Sequence, residues 1–204
     1  MTKIIIFEGI STCGKTTVKE LVYEQLINEW KSCLKVDEGI ISKTFLSDCT
    51  EIEESKIRLK DIFLSYLSKK YDYILFDRCH FSNIMIFKCA FEEFTDVEKL
   101  LVKHKAKIIW LYFHPKHAVQ RIRNSLQYRK GIGFERYISR LIKGTKNVKE
   151  ESAKIYAAYK KDIDNIDGCF KKTKLKYLKV DVSKIVNKDN YLLVLPSIMK
   201  YIKQ

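Results

Sequence analysis

The chain has 204 residues, of which 46% are hydrophobic, enough to bury the core of one domain of ordinary size. Its six cysteines are scattered without a C-x-x-C pair, and this excludes a disulfide framework or a cysteine metal cluster as the basis of the fold. No apolar run has the length of a signal peptide or membrane span, so we expect a reduced, cytoplasmic protein with no membrane partner.

The net charge of +14 is unevenly distributed along the chain. Residues 1–100 carry −3, residues 101–150 carry 13 basic and only 2 acidic side chains, and residues 151–204 add +6. A positive excess confined to one part of a chain predicts a face that meets phosphates. It leaves open whether these belong to a nucleotide or to a nucleic acid bound by the region 101–204.

The first predicted element is a short buried strand over residues 4–7, followed by a glycine-bearing loop and a helix over residues 17–30. The loop matches the pattern G-x-x-x-x-G-K-[ST], and the strand and helix supply the context that such a match needs. The residues expected to bind a triphosphate are Gly9, Ser11, Thr12, Cys13, Gly14, Lys15, Thr16 and Thr17.

The chemistry of this loop follows from its residue types. Gly9 and Gly14 allow the backbone to turn its N–H groups inward around an anion, and the helix N-terminus adds partial positive charge. Lys15 would reach the β- and γ-phosphates, and the Thr16 hydroxyl would ligate Mg²⁺. The loop therefore predicts ATP and Mg²⁺ as cofactors.

Further strands and helices alternate along the rest of the chain. Strands are predicted at 33–36, 73–76, 107–113 and 175–182, and helices at 51–67, 81–94, 97–104, from 115 onward, 135–142, 150–163 and 191–202. This alternation predicts one α/β domain over residues 1–204, a doubly wound five-stranded parallel sheet. Ligands of such sheets lie beyond the carboxyl ends of the strands, where Gly9, Asp37 and Asp77 fall.

A second chemical signal follows the third strand. Asp77 would hold Mg²⁺ or its waters there, and Arg78 would bridge the two reacting phosphoryl groups. The pair Asp-Arg is a weak motif by itself, and its other interpretation is a solvated strand end. Its position after a phosphate-binding loop favours the functional interpretation.

Two segments of the chain carry a family resemblance. The first is Phe7-Glu8-Gly9 leading into Gly14-Lys15-Thr16-Thr17, and the second is Asp77-Arg78-Cys79-His80-Phe81-Ser82. Both resemble the thymidylate kinase branch of nucleoside monophosphate kinases. The resemblance covers residues 1 to about 160. It implies the P-loop NTPase fold with a lid, transfer of a phosphoryl group from ATP to a (deoxy)nucleoside monophosphate, and pairing as a homodimer.

The resemblance also implies site residues. Arg58 would grip the phosphate of the acceptor; its other interpretation is a helical ion pair with Glu54. Arg121, Arg123 and Arg129 would belong to an arginine-bearing lid over about 121–147, or else to a solvated basic helix. The implied catalytic residues are Lys15, Asp77, Arg78 and Arg129, and the implied substrate-binding residues are Glu38, Arg58, Arg78, His80, Phe81 and Ser82.

Two departures from the family pattern keep an alternative open. Ser11 stands where the family has an aspartate for the sugar hydroxyl, and Asp37-Glu38-Gly39 lacks the expected proline. Glu38 or Asp37 could be the base that accepts a proton from a hydroxyl on a nucleoside or nucleic acid, as deoxynucleoside kinases use a glutamate. Asp-Arg-x-His around His80 is similar to phage kinases that phosphorylate hydroxymethylated bases in DNA. An ordinary acidic turn, and a nucleotide-binding switch without kinase activity, are the remaining interpretations.

Overall fold

The computed structural model describes residues 2–44, 51–128, 132–185 and 189–204. Five strands form one parallel sheet in the order β2-β3-β1-β4-β5. Their bounds are β1 (Lys3–Glu8), β2 (Cys33–Val36), β3 (Tyr73–Asp77), β4 (Lys107–Tyr112) and β5 (Lys176–Asp181). The predicted five-stranded parallel α/β sheet is confirmed.

Strand β1 lies at the centre of the sheet because it is apolar on both faces. Residues 4–7 are all buried, as expected for a parallel strand covered by helices on both sides. Strand β3 pairs on one side of β1 and β4 on the other, with Ile6 opposite both Phe76 and Ile108. The strand order therefore reverses at β1, which places a ligand crevice at its carboxyl end.

Nine α-helices and three short 3₁₀ helices occur within the described ranges. The α-helices are α1 (Lys15–Asn28), α2 (Glu38–Ser42), α3 (Ile52–Leu67), α4 (His80–Phe87), α5 (Thr95–Lys103), α6 (Ala118–Tyr128), α7 (Ile132–Leu141), α8 (Val148–Lys172) and α9 (Leu195–Lys203). The 3₁₀ helices are Phe91–Phe94, Pro115–His117 and Asp189–Leu193.

Helix boundaries differ from the predictions where the backbone turns left-handed. The helix predicted over 81–94 ends at Phe87, because Lys88 has a φ of 53°. Helix α1 begins at Lys15, two residues earlier than predicted, and ends before Trp30, whose φ is 59°. The short helix α2 was not predicted, since its residues were interpreted as a turn.

Helix α8 continues nine residues beyond its predicted end because its second half covers the sheet. Phe170 stacks on Trp110 of β4 with ring centroids 4.1 Å apart, and Phe81 contacts Phe170 edge to face at 4.9 Å. The burial of Ile163, Ile166 and Phe170 continues the helical period through residue 170. This packing connects β4, α4 and α8.

Two lysines at the amino ends of the strands stabilise the last helix. Lys3 donates from Nζ to the carbonyls of Ile202 and Lys203 at 3.2 and 2.7 Å, and Lys107 donates to the carbonyl of Tyr201 at 3.0 Å. Cations that hydrogen-bond the final carbonyls of a helix satisfy acceptors that have no partner within it. Some of the excess lysines therefore stabilise the fold, at the end of the sheet opposite the glycine loop.

The described cysteines are unpaired, as predicted; they are Cys13, Cys33, Cys79, Cys89 and Cys169. In the described part of the chain, no helix combines the length and the apolar character needed to cross a lipid bilayer.

Candidate active site

The loop between β1 and α1 contains two positions whose backbone conformation is readily adopted only by glycine. Gly9 has a φ of 144° and Gly14 a φ of 88°. A Cβ at Gly9 would overlap the carbonyl oxygen of Leu111, and one at Gly14 would overlap the hydroxyl of Tyr191. Both glycines of the motif are therefore required by φ and by space together.

Lys15 lies inside this loop. Its Nζ donates to the carbonyl oxygens of Gly9 and Ile10 at 2.8 and 3.0 Å, and the side chain is almost fully buried. Lys15 is the first residue of α1, so its ammonium adds to the positive end of the helix. The loop, the helix terminus and the lysine together have the geometry and the positive charge that suit an anion.

The outer side of the loop is braced by two residues distant in sequence. Arg121 donates from Nη1 to the carbonyl of Thr12 at 3.0 Å, and the Tyr191 hydroxyl donates to the carbonyl of Cys13 at 3.1 Å. Arg121 also donates from Nη2 to the carbonyls of Val182 and Ile185. These bonds fix the orientation of the Thr12 and Cys13 carbonyls in the loop.

Arg121 was predicted to contact the donor from a lid, and the structure places it differently. It is buried, and its Nη1 and Nη2 groups donate hydrogen bonds to the loop and to the segment after β5. Arg123, on the same helix α6, is exposed. Arg129 lies outside the described residues, so the lid over about 121–147 is described only in part and stays a prediction.

Thr16 and Asp77 meet at the mouth of the loop, as the predicted metal site requires. The Thr16 hydroxyl donates to Asp77 Oδ2 at 2.8 Å. Asp77 is buried, and its Oδ1 has no hydrogen-bond partner among the described residues. A buried carboxylate oxygen with spare acceptor capacity beside a hydroxyl suits Mg²⁺, which takes one or two protein ligands and completes its shell with phosphate and water.

No group of three or more His, Cys, Asp and Glu side chains converges in the described ranges. The residues present therefore fit a metal carried in with a triphosphate, and they do not form a complete metal cage of their own.

Arg78 lies on the other side of Asp77 and is held in a strained conformation. Its φ is 76°, which a non-glycine residue adopts at a cost and which is frequent at functional sites. Its Nε donates to Glu38 Oε1 at 2.6 Å, and its Nη1 donates to the Ser82 hydroxyl at 3.2 Å. The structure thus brings together three predicted substrate-binding residues, Arg78, Glu38 and Ser82.

Glu8 connects this group to the phosphate-binding loop, a role that the sequence analysis did not assign to it. Its carboxyl accepts hydrogen bonds from the Cys79 backbone N–H at 2.7 Å and from the Ser82 hydroxyl at 3.2 Å. Full burial raises the pKa of Glu8, although Arg78 and other nearby cations oppose the shift. Glu8 therefore ties the end of β1 to the start of α4.

His80 and Phe81 lie in the interior and do not face the crevice. The His80 ring is paired with Glu98 across 2.8 Å, and Glu98 also accepts bonds from Thr173 and from the Lys174 backbone. Phe81 packs in an aromatic cluster with Phe170. Their placement gives no support to a direct contact with substrate.

Arg58 forms the ion pair that the sequence analysis gave as its alternative interpretation. Its Nη2 lies 2.7 Å from Glu54 Oε1, and both side chains are about 40% exposed. An exposed pair of this kind contributes little to stability, so Arg58 remains available to a ligand. Its contact with an acceptor phosphate stays a prediction.

Lys19 is the residue that the sequence analysis missed most clearly. It is fully buried on α1, with its Nζ 2.5 Å from Asp37 Oδ1 and 3.9 Å from Asp77 Oδ2. The hydrogen bond from Lys19 lowers the pKa of Asp37. The available signal was its spacing: Lys19 follows Lys15 by four residues, on the helix face that carries buried Val18 and Val22.

Comparison with known proteins supports the fold. No protein-family description and no curated protein sequence matches the chain. Two solved structures resemble it along almost its whole length. The YorR protein of Bacillus subtilis in complex with phosphorylated GDP is 17% identical, with a TM-score of 0.54 over 98% of this chain and 95% of its own. Shikimate kinase from Acinetobacter baumannii in complex with shikimate is 16% identical, with a TM-score of 0.49 over 98% and 93%.

At this identity the likeness to YorR shows a shared fold. It does not extend to substrate or partner.

Proposed function

We propose that this protein transfers a phosphoryl group from ATP, with Mg²⁺, to a (deoxy)nucleoside monophosphate. The observation that carries the proposal is the glycine loop around the Lys15 ammonium, with Thr16 and Asp77 bonded at its mouth. A loop of this kind holds a triphosphate through backbone N–H groups and a lysine. Phosphoryl transfer needs little more than positioning and charge neutralisation.

Each residue of the site would have a role that follows from its position. The loop N–H groups would hold the phosphates of the donor, and Lys15 would exchange its two carbonyl acceptors for phosphate oxygens. Thr16 and Asp77 would hold magnesium, which neutralises charge on the transferring group when bound. Arg78, fixed beside Asp77, would bind oxygens of the acceptor phosphate and of the group in transfer.

The surroundings of Asp37 and Glu38 favour a phosphate acceptor. Asp37 is bonded to Lys19 and Glu38 to Arg78, so both carboxylates are paired with cations. A carboxylate stabilised in its charged form is a weaker base, and the pKa of Asp37 is lowered by its hydrogen bond with Lys19. An ionised phosphate acceptor needs no base. That YorR, which has this fold, was solved with a phosphorylated GDP agrees with a nucleotide substrate.

A second candidate is a kinase that acts on a hydroxyl of a nucleoside or nucleic acid. The observation in its favour is that Glu38 follows β2, is about half exposed, and lies against Arg78 beside Asp77. A carboxylate at this point could accept the proton of an acceptor hydroxyl if substrate displaced the arginine. The basic region 101–204 would then bind the nucleic acid.

Transfer of label from γ-labelled ATP separates the two candidates. The acceptors are the deoxynucleosides, their monophosphates, and single- and double-stranded DNA. We expect labelled diphosphate from at least one monophosphate, and label in nucleosides or DNA alone would favour the hydroxyl kinase.

Two substitutions test the assignment of acceptor residues. Glu38→Gln should lower kcat less than tenfold with an unchanged pH profile if the acceptor is a phosphate, whereas loss of a general base should cost about 10²-fold or more. Arg58→Ala should raise KM for the acceptor several-fold with KM for ATP unchanged. Lys56→Ala is the control for loss of a helical ion pair, since Lys56 pairs with Glu53 on the same helix. Equal effects of the two variants would contradict the role of Arg58.

A further inference from the structure

Lys19 is a buried cation that the proposed reaction does not use. Its side chain is 0% exposed, whereas its partner Asp37 is 71% exposed at the end of β2. The same ammonium lies 3.9 Å from Asp77 Oδ2 at the end of the adjacent strand β3. Lys19 therefore stands between a carboxylate at the surface and the buried carboxylate of the magnesium site.

The point between two carboxylates is a position that suits a cation. Hard divalent cations bind oxygen ligands, and here the ammonium of Lys19 takes that place. Stability alone does not account for a lysine at this point, because burial removes the hydration of the Lys19 ammonium while its partner at 2.5 Å, Asp37, stays 71% exposed. Asp77 Oδ1 is still without a partner among the described residues, so the carboxylates have acceptor capacity that Lys19 does not fill.

We infer that Lys19 is a positioning residue that occupies the cation position between Asp37 and Asp77, so that a divalent metal binds at Asp77 only together with the triphosphate. With Lys19 charged, the three groups carry −1; without it, the two carboxylates carry −2 and attract a divalent ion by themselves. The inference rests on the proposed function for its metal. Its test uses no nucleotide, so it can fail while phosphoryl transfer is shown to occur.

The test is a titration of the nucleotide-free protein with Mn²⁺. The concentration of unbound Mn²⁺ is measured by electron paramagnetic resonance, and it gives the affinity. We expect Lys19→Met and Lys19→Gln to bind Mn²⁺ at least tenfold more tightly than the wild type. Lys19→Arg keeps the charge and should bind Mn²⁺ as weakly as the wild type. The double variant Lys19→Met/Asp37→Asn lacks one carboxylate and should lose the gained site.

Lys56→Met is the matched control, because Lys56 is paired with Glu53 at the same distance of 2.5 Å, is mostly buried, and has Glu53, Asp96 and Glu93 as its neighbouring carboxylates. It should leave Mn²⁺ binding unchanged. Folded Lys19→Met and Lys19→Gln proteins that bind Mn²⁺ no more tightly than the wild type would overturn the inference. Unfolding of both neutral variants would overturn it too, because Lys19 would then be required for stability.

Discussion

Single residues of the phosphate-binding loop are constrained by backbone geometry as much as by chemistry. Gly9 combines a φ of 144° with close contact to the carbonyl of Leu111, so the overlap involves backbone that cannot rotate away. Gly39, in α2, has open space where a Cβ would lie. The two glycines form a matched pair for testing the loop.

Gly9→Ala should lower the free energy of unfolding by at least about 2 kcal/mol, because it adds backbone strain to a steric clash. Gly39→Ala should leave the free energy of unfolding unchanged or raise it by up to about 1 kcal/mol, since alanine is the better helix former. Urea unfolding followed by circular dichroism measures both values. Equal stabilities of the two variants would mean that the loop has a different backbone conformation.

The buried carboxyl of Glu8 makes a second prediction at the residue scale, and its sign follows from its raised pKa. Between the unfolded and folded pKa values, the folded protein binds the extra proton, so stability falls as pH rises. The contribution of Glu8 is therefore complete below its unfolded pKa of about 4.3 and is lost as pH rises through the folded value.

Glu8→Gln should cost more stability at pH 4 than at pH 7, because glutamine mimics the protonated carboxyl and avoids the cost of ionising it in the core. Unfolding by urea at pH 4, 5.5 and 7 measures the trend. Glu24→Gln, at an exposed position on α1, is the control and should show a small difference that does not change with pH. A cost that grows with pH would show that the pKa of Glu8 is lowered in the folded protein, contrary to the effect of burial.

At the scale of elements, the phosphate-binding loop depends on segments far along the chain. Arg121 of α6 and Tyr191 of the 3₁₀ helix Asp189–Leu193 supply the donors for the carbonyls of Thr12 and Cys13. Arg121 also bonds the segment that follows β5, and its guanidinium lies over the ring of Phe113. The loop is therefore supported by three elements besides β1 and α1.

Arg121→Met should destabilise the protein by about 2–4 kcal/mol, since it removes the guanidinium donors of the buried carbonyls of Thr12, Val182 and Ile185. It should also weaken binding of an ATP analogue. Arg123→Met, on the exposed face of the same helix, should change stability by less than about 0.5 kcal/mol. Thermal unfolding with and without the analogue tests both expectations, and equal stability of the two variants would contradict the bracing role of Arg121.

For the whole molecule, the sequence predicted those features that depend on local pattern. Residues 4–7 and 73–76 are apolar runs of strand length, and the glycine loop between a strand and a helix has few other structural meanings. Asp77 could be placed next to the loop because it ends a parallel strand.

The sequence pattern did not predict hydrogen bonds and packing contacts between residues that are far apart in the chain. The resemblance to the kinase family assigned Arg121 to a lid, whereas its carbonyl partners lie 61 to 109 residues away in the sequence. His80 and Phe81 looked like pocket residues from their motif, and only the packing against Glu98 and Phe170 places them in the interior. Nothing in the local pattern pairs Lys19 with Asp37 and Asp77, the two carboxylates that β2 and β3 bring to it.

The central claim is that the loop around Lys15 binds the triphosphate of ATP. Calorimetric titration of the wild type and of Lys15→Ala with a nonhydrolysable ATP analogue and Mg²⁺ tests it most directly. We predict one binding site in the wild type and an affinity at least tenfold lower in Lys15→Ala, because that variant loses a charge-assisted contact to phosphate. Absence of binding to the folded wild type, or equal affinities of the two proteins, would contradict the claim.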